Sequence, residues 1–246
     1  MNRRLVSLCF IVVLAFSNVA LADWFLSSET KELITKAEAG DVNAQFLVGS
    51  AYDSGKGAPH DSNEAMKWYR MAAERGHAEA QNSMGSVLQA EKRYEEALPW
   101  YEMASSQGHA LATNNLAYLY DLGLGVKQDR RKGFELYSRA ADLGWAEAMW
   151  NIANMYGAGQ LGEPDFVAAC VWSFRARKFA ASSERQLLDH LSRVIPYFER
   201  SLSAEQFTSC REQSETWVPT ALRATKDAQR GVAGDAAPKD GEAPLN

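Results

Sequence analysis

Four glycines, Gly40, Gly76, Gly108 and Gly144, stand 36, 32 and 36 residues apart, and the segments behind them line up. After each comes a short link and then Ala44, Ala80, Ala112 or Ala148. Eight residues further on stand Tyr52, Leu88, Tyr120 and Tyr156. The first, third and fourth copies then carry Gly55, Gly123 or Gly159 and, six residues later, Asp61, Asp129 or Asp165. The second half of each copy places Ala65-x-x-Trp68-Tyr69, Ala97-x-x-Trp100-Tyr101, Gly133-x-x-Leu136-Tyr137 or Ala169-x-x-Trp172-Ser173 in the same register. A period of this length signals stacked helix pairs, because one such pair cannot bury both of its apolar edges alone.

The spacing within a copy is helical. Ala44, Val48, Gly49 and Tyr52 share one face, as do Ala65, Trp68, Tyr69 and Ala72. Small residues facing aromatic ones let two helices interdigitate at the density of a protein interior. On this reading Tyr120 lies in the core between the helices of the third copy. The aspartate before each second helix is a cap acceptor, and Asp61-x-x-Glu64 reads as a capping box. The closing glycine supplies the left-handed residue that ends the helix.

Residues 1–22 have the form of a secretory signal: Arg3 and Arg4, an apolar run from Leu5 to Phe16, then Ala20-Leu21-Ala22 before Asp23. The apolar run is shorter than the roughly 20 residues a bilayer-spanning helix needs. Cleaved export to a periplasm or the extracellular space is therefore expected, without stable membrane insertion afterwards. Removing the signal takes away two of the 26 basic residues and none of the 31 acidic ones, leaving 24 against 31, or −7. A surplus of acid argues against nucleic acid as the main partner. The expected organisation is a signal peptide (1–22), an N-terminal capping helix (23–39) begun by Ser28, and repeats at 40–75, 76–107, 108–143 and 144–180. Capping helices (181–223) follow, with Pro196 ending or kinking the first of them. The tail (224–246) is poor in apolar residues and is expected to be disordered.

Export leaves Cys170 and Cys210, which can form a disulfide in an oxidising compartment or remain as two buried thiols. His77 and His109 share the slot after a repeat glycine, but no Cys/His/Asp cluster at zinc spacing accompanies them. They read as histidines of the helix-start turn, so no metal is expected. Gly55-Lys56-Gly57, Gly123-Leu124-Gly125 and Gly157-Ala158-Gly159 follow helices and lack the Lys-Ser/Thr ending of a phosphate loop. No serine stands in a nucleophile motif. The chain is expected to have no catalytic residues and no cofactor.

The strings GHAEAQ (76–81), GLGVKQD (123–129) and EAMKWYRMAAERGHAEA (64–80) resemble the Sel-1-like repeat, a variant of the tetratricopeptide repeat. The second copy departs from the pattern by lacking the glycine loop, and the fourth departs at Ser173, Arg177 and Ala180. The resemblance implies an all-α, right-handed α/α solenoid of about four helix-turn-helix repeats closed by capping helices. It also implies that one face of the first helices lines a concave groove. On that face fall Phe46, Asn82, Ser86, Asn114, Tyr118, Trp150 and Asn154, where amides can bond an extended peptide and aromatic rings can pack its side chains. The implied role is a non-catalytic adaptor for a protein or peptide. Two alternatives stand beside it. Cysteine-rich secreted relatives have been assigned penicillin binding or β-lactam hydrolysis, although their cysteine pair in every repeat is missing here. A groove of asparagine and tryptophan also suits a cell-wall polymer.

Overall fold

A computed structural model of the chain describes residues 26–223. The signal expected at 1–22 and the tail expected at 224–246 lie outside the described residues. Those described are helical, with no strand among them: α1 (Ser28–Glu38), α2 (Val42–Ser54), α3 (Ser62–Ala73), α4 (Ala78–Ala90), α5 (Tyr94–Ser106), α6 (Ala110–Leu122), α7 (Arg130–Asp142), α8 (Ala146–Gly157), α9 (Phe166–Phe179), α10 (Arg185–Ser201) and α11 (Ala204–Thr216). The chain divides between Gln107 and Gly108 into two compact units. In the first, α1 to α5 pack each against the next in order. In the second, α6 to α10 do the same, and α11 folds back onto α9.

Helix ends follow the repeat. Gly40, Gly76, Gly108 and Gly144 have φ of +94°, +88°, +82° and +91°, the left-handed region that a side chain resists. The capping aspartates act as expected: Asp61 accepts from the Asn63 and Glu64 amides, Asp129 from Lys132 and Asp165 from Ala168. Glu64 does not close a box. The amide of Asp61 is already donated to the Tyr52 carbonyl at 3.0 Å, just as Asp129 donates to Tyr120 and Asp165 to Tyr156. With that donor used, Glu64 pairs with Lys67 at 3.1 Å instead. A reciprocal box forms elsewhere, between Ser203 and Gln206 of α11. The cap of α1 is Ser27, one residue before the expected Ser28, accepting from the Thr30 amide.

Two polar devices fix the packing inside the first unit. Gln45 and Gln81 each donate Nε2 across to the last turn of the preceding helix, to the Ala37 and Ala73 carbonyls, both at 3.0 Å. Inside each repeat, a tyrosine of the second helix lies against the first. Tyr69 donates its hydroxyl to Asp53 Oδ2 at 3.2 Å, and Tyr101 to Gln89 Oε1 at 3.0 Å. Burial, with the Asp53 charge second, pushes the Tyr69 hydroxyl up to about 12. The rings approach so closely that a Cβ on Gly49 or Gly85 would lie 2.6 Å from the nearest ring carbon. Within the repeats the buried aromatics are Tyr69, Tyr101 and Tyr137, together with Trp68, while Tyr120 is only half-buried. The expectation that Tyr120 forms the core is corrected by this geometry. The second-helix ring takes the space between the helices, and the backbone next to the first-helix ring serves the cap.

The closing helices are fastened to α9. Cys170 and Cys210 are disulfide-bonded with Cα atoms 6.0 Å apart, in a cluster with Val171 and Phe198. The Arg175 guanidinium lies over the rings of both Trp172 and Trp217, 4.5 and 4.8 Å from their centroids. Burial holds it below the usual arginine value, and the two ring faces stabilise the cation where water does not. Lys178 donates Nζ to the Glu215 and Trp217 carbonyls at 2.8 and 3.3 Å. Pro196 does not end the capping helix; α10 runs through it from Arg185 to Ser201. The carbonyl four residues back belongs to exposed Ser192, where water can replace the missing amide. Meanwhile Leu187, Leu191, Ile195 and Phe198 keep one stripe of α10 buried.

Candidate functional site

The seven residues expected to line a groove have different surroundings. In the first unit Phe46 stacks on His77 with ring centroids 4.8 Å apart and leans on Tyr69 at 5.8 Å. His77 is the N-cap of α4: its Nδ1 accepts from the Ala80 amide at 3.2 Å, and its Nε2 lies 3.1 Å from Asn43 Oδ1. Phe46 thus supports a helix start. Asn82 is 8% exposed, and Ser86 Oγ takes the Tyr101 hydroxyl at 3.3 Å.

In the second unit Asn114 is 4% exposed and accepts from Asn151 Nδ2 at 3.1 Å. The expectation of ligand-facing asparagines at Asn82 and Asn114 is corrected here. At these two slots helix packing covers the amide, so it belongs to the interior. Tyr118, 41% exposed, and Asn154, also exposed, remain available on the surface. Trp150 is half-buried and stacks on His190 of α10, centroids 6.3 Å apart. No spacing rule linked His190 to Trp150, because the capping helix falls outside the repeat.

Trp150 and Asn154 also line a cleft of about 380 Å³ between α8, α9 and α10. Ala153, Gly157 and Ser173 contribute to its lining, as do the exposed rings of Phe166 and Tyr197. Gln160, on the loop after α8, adds a buried Oε1 that has no hydrogen-bond partner. The sequence signal for this place was the departure of the fourth copy at Ser173, which by itself reads as the array fading into a cap. His109, like His77, is an N-cap, accepting the Ala112 amide at 3.1 Å. Among the described residues no group of three or more His, Cys, Asp or Glu side chains could hold a metal ion. No described helix is long and apolar enough to cross a membrane.

Four consecutive matches to the Sel1 repeat cover residues 42–77, 78–109, 110–145 and 146–177. The chain belongs to the Sel1 repeat family. Sel1 repeats are typically protein-interaction scaffolds without catalysis of their own. Among solved structures, a Sel1 repeat protein from Oxalobacter formigenes is 33% identical, with a TM-score of 0.58 over 64% of this chain and 67% of that one. A protective antigen present in uropathogenic Escherichia coli strains, displaying an SLR fold, aligns over 88% of this chain and 45% of that one. Its TM-score is 0.70 at 23% identity, a likeness of fold. Human eukaryotic elongation factor 2 kinase is 28% identical over 128 residues, half of this chain. The matched segment spans only 15% of that protein's length. The all-α solenoid class read from the period is the class of these Sel1 repeat structures.

Proposed function

We propose that this Sel1 repeat chain is an exported, non-catalytic adaptor that binds a protein or peptide. The observation that carries the reading is the first-helix face of the second unit. There Tyr118 of α6 is 41% exposed, and exposed Asn154 of α8 lines the cleft with Trp150. Large rings open to solvent next to a concave surface are the usual anchors of protein interfaces. Asn114 then ties α6 to α8 through Asn151, and Tyr118, Trp150 and Asn154 contact the ligand. Export rests on the signal pattern at residues 1–22.

A crosslinking pull-down from cell-envelope extract tests this, comparing the natural chain with a Tyr118→Ala/Asn154→Ala variant. The variant is expected to lose at least tenfold of the captured partner while keeping the same helicity and unfolding temperature. Equal capture by both would move binding away from this face. Recovery of the natural chain from the cytoplasmic fraction with residues 1–22 intact would remove the export part of the reading.

A further inference from the structure

The fourth repeat lacks the buried tyrosine of the other three. In register, Tyr69, Tyr101 and Tyr137 are followed by Ser173. Asp53, Gln89 and Asp121, the slot that receives the hydroxyl in the first two repeats, are followed by Gly157. The small residue under the ring is Gly49, Gly85 and Ala117, and then Ala153. Ser173 turns its Oγ back to the Ala169 carbonyl at 2.8 Å, and Gly157 offers no side chain. The residues that would surround the missing ring, Ala153, Gly157, Ala169 and Ser173, all line the cleft of about 380 Å³. That volume lies within the range of about 300–1,000 Å³ usual for ligand pockets.

Two amides make the cleft more than an apolar gap. Asn154 occupies the slot of Ser86, whose Oγ receives the Tyr101 hydroxyl in the second repeat. Gln160 holds a buried Oε1 without a donor, and a buried acceptor left empty calls for one. The chemistry sought is a flat ring with a hydrogen-bond donor at its edge. We propose that the cleft receives the phenol ring of a tyrosine side chain on a partner polypeptide, seated over the slot that a tyrosine fills in the other repeats. The proposal rests on the protein-binding reading for the source of the ring, and on the repeat register for the ring itself.

The probe is N-acetyl-tyrosinamide, titrated into the full mature chain while the Trp150 indole N–H is followed by NMR. A saturable shift is expected, several-fold weaker with N-acetyl-phenylalaninamide, which lacks the donor. Gly157→Gln and Ser173→Tyr, which restore features of the sister repeats, should each weaken binding at least tenfold. A Cβ at Gly157 meets only Ala169 Cβ, at 3.7 Å, so Gly157→Gln carries the test if Ser173→Tyr does not fold. No shift at tens of millimolar probe, or equal binding by folded Gly157→Gln, would overturn the proposal. Binding of p-cresol without N-acetyl-tyrosinamide would assign the cleft to free phenols and overturn it as well. Loss of the cleft proposal leaves the pull-down result standing. A tyrosine-binding cleft with unchanged capture by Tyr118→Ala/Asn154→Ala would instead count against the broader face.

Discussion

Asp121, in the last turn of α6, is 8% exposed, and its Oδ1 has no hydrogen-bond partner. Burial raises its pKa above the usual carboxylate value, with Arg130, 3.9 Å away, opposing the shift. A carboxyl whose folded pKa is raised binds more protons when folded, so its contribution to stability falls as pH rises from the usual value through the raised one. Asp121→Asn is therefore expected to unfold at a higher temperature than the natural chain at neutral pH, the gap closing as pH drops below the carboxylate range. Thermal melts at a series of pH values check this, and a gap that widens toward acid would reverse the sign. The backbone is equally specific at this scale. Lys92, at φ +61°, takes the left-handed position after α4, in the repeat that lacks the glycine loop. Lys92→Gly is expected to stabilise by about 0.5–1 kcal/mol, by removing a strain of roughly 1–2 kcal/mol at some cost in chain entropy. Gly144→Val should destabilise by about 1–2 kcal/mol from φ alone, since a Cβ there meets nothing within 4 Å. Urea unfolding of the two variants gives both numbers.

Between elements, the tyrosine stripe of the second helices decides the packing. Tyr137 is 1% exposed, so Tyr137→Ala should cost about 3–5 kcal/mol, and half-buried Tyr120→Ala clearly less. Chemical denaturation of the two variants ranks them. The glycine period revealed the helix pairs, their ends and the capping aspartates, because those depend on local backbone chemistry. It could not say which of two aromatic stripes is interior. That depends on the ring-to-backbone approach at Gly49 and Gly85, a three-dimensional fact. The capping helix α10 was legible as an amphipathic run, but its continuation through Pro196 depends on the freed Ser192 carbonyl facing solvent. The Cys170–Cys210 bridge spans 40 residues and ties α11 to α9. Cys170→Ala/Cys210→Ala should lower stability by about 2–4 kcal/mol, and thiol counting on denatured, unreduced protein should find none free. Two free thiols would contradict the bridge.

Across the whole molecule, four Sel1 repeats with similar backbones carry different faces, and the difference marks where function is proposed. Asn82 and Asn114 read from the sequence as groove residues because their slots correspond to those of Tyr118 and Trp150 on the first-helix face. Their burial follows from neighbouring helices that a single-helix periodicity does not represent. The cleft was hidden for a related reason: a serine in place of a tyrosine reads as degeneration until the space around it is seen. Hydrogen exchange of the mature chain with and without its captured partner tests the central claim most directly. Slowed exchange is predicted in α6 and α8 and on the inner face of α10, with α3 and α5 unchanged. Protection confined to α1–α5, with α6 and α8 exchanging as in the free chain, would contradict it.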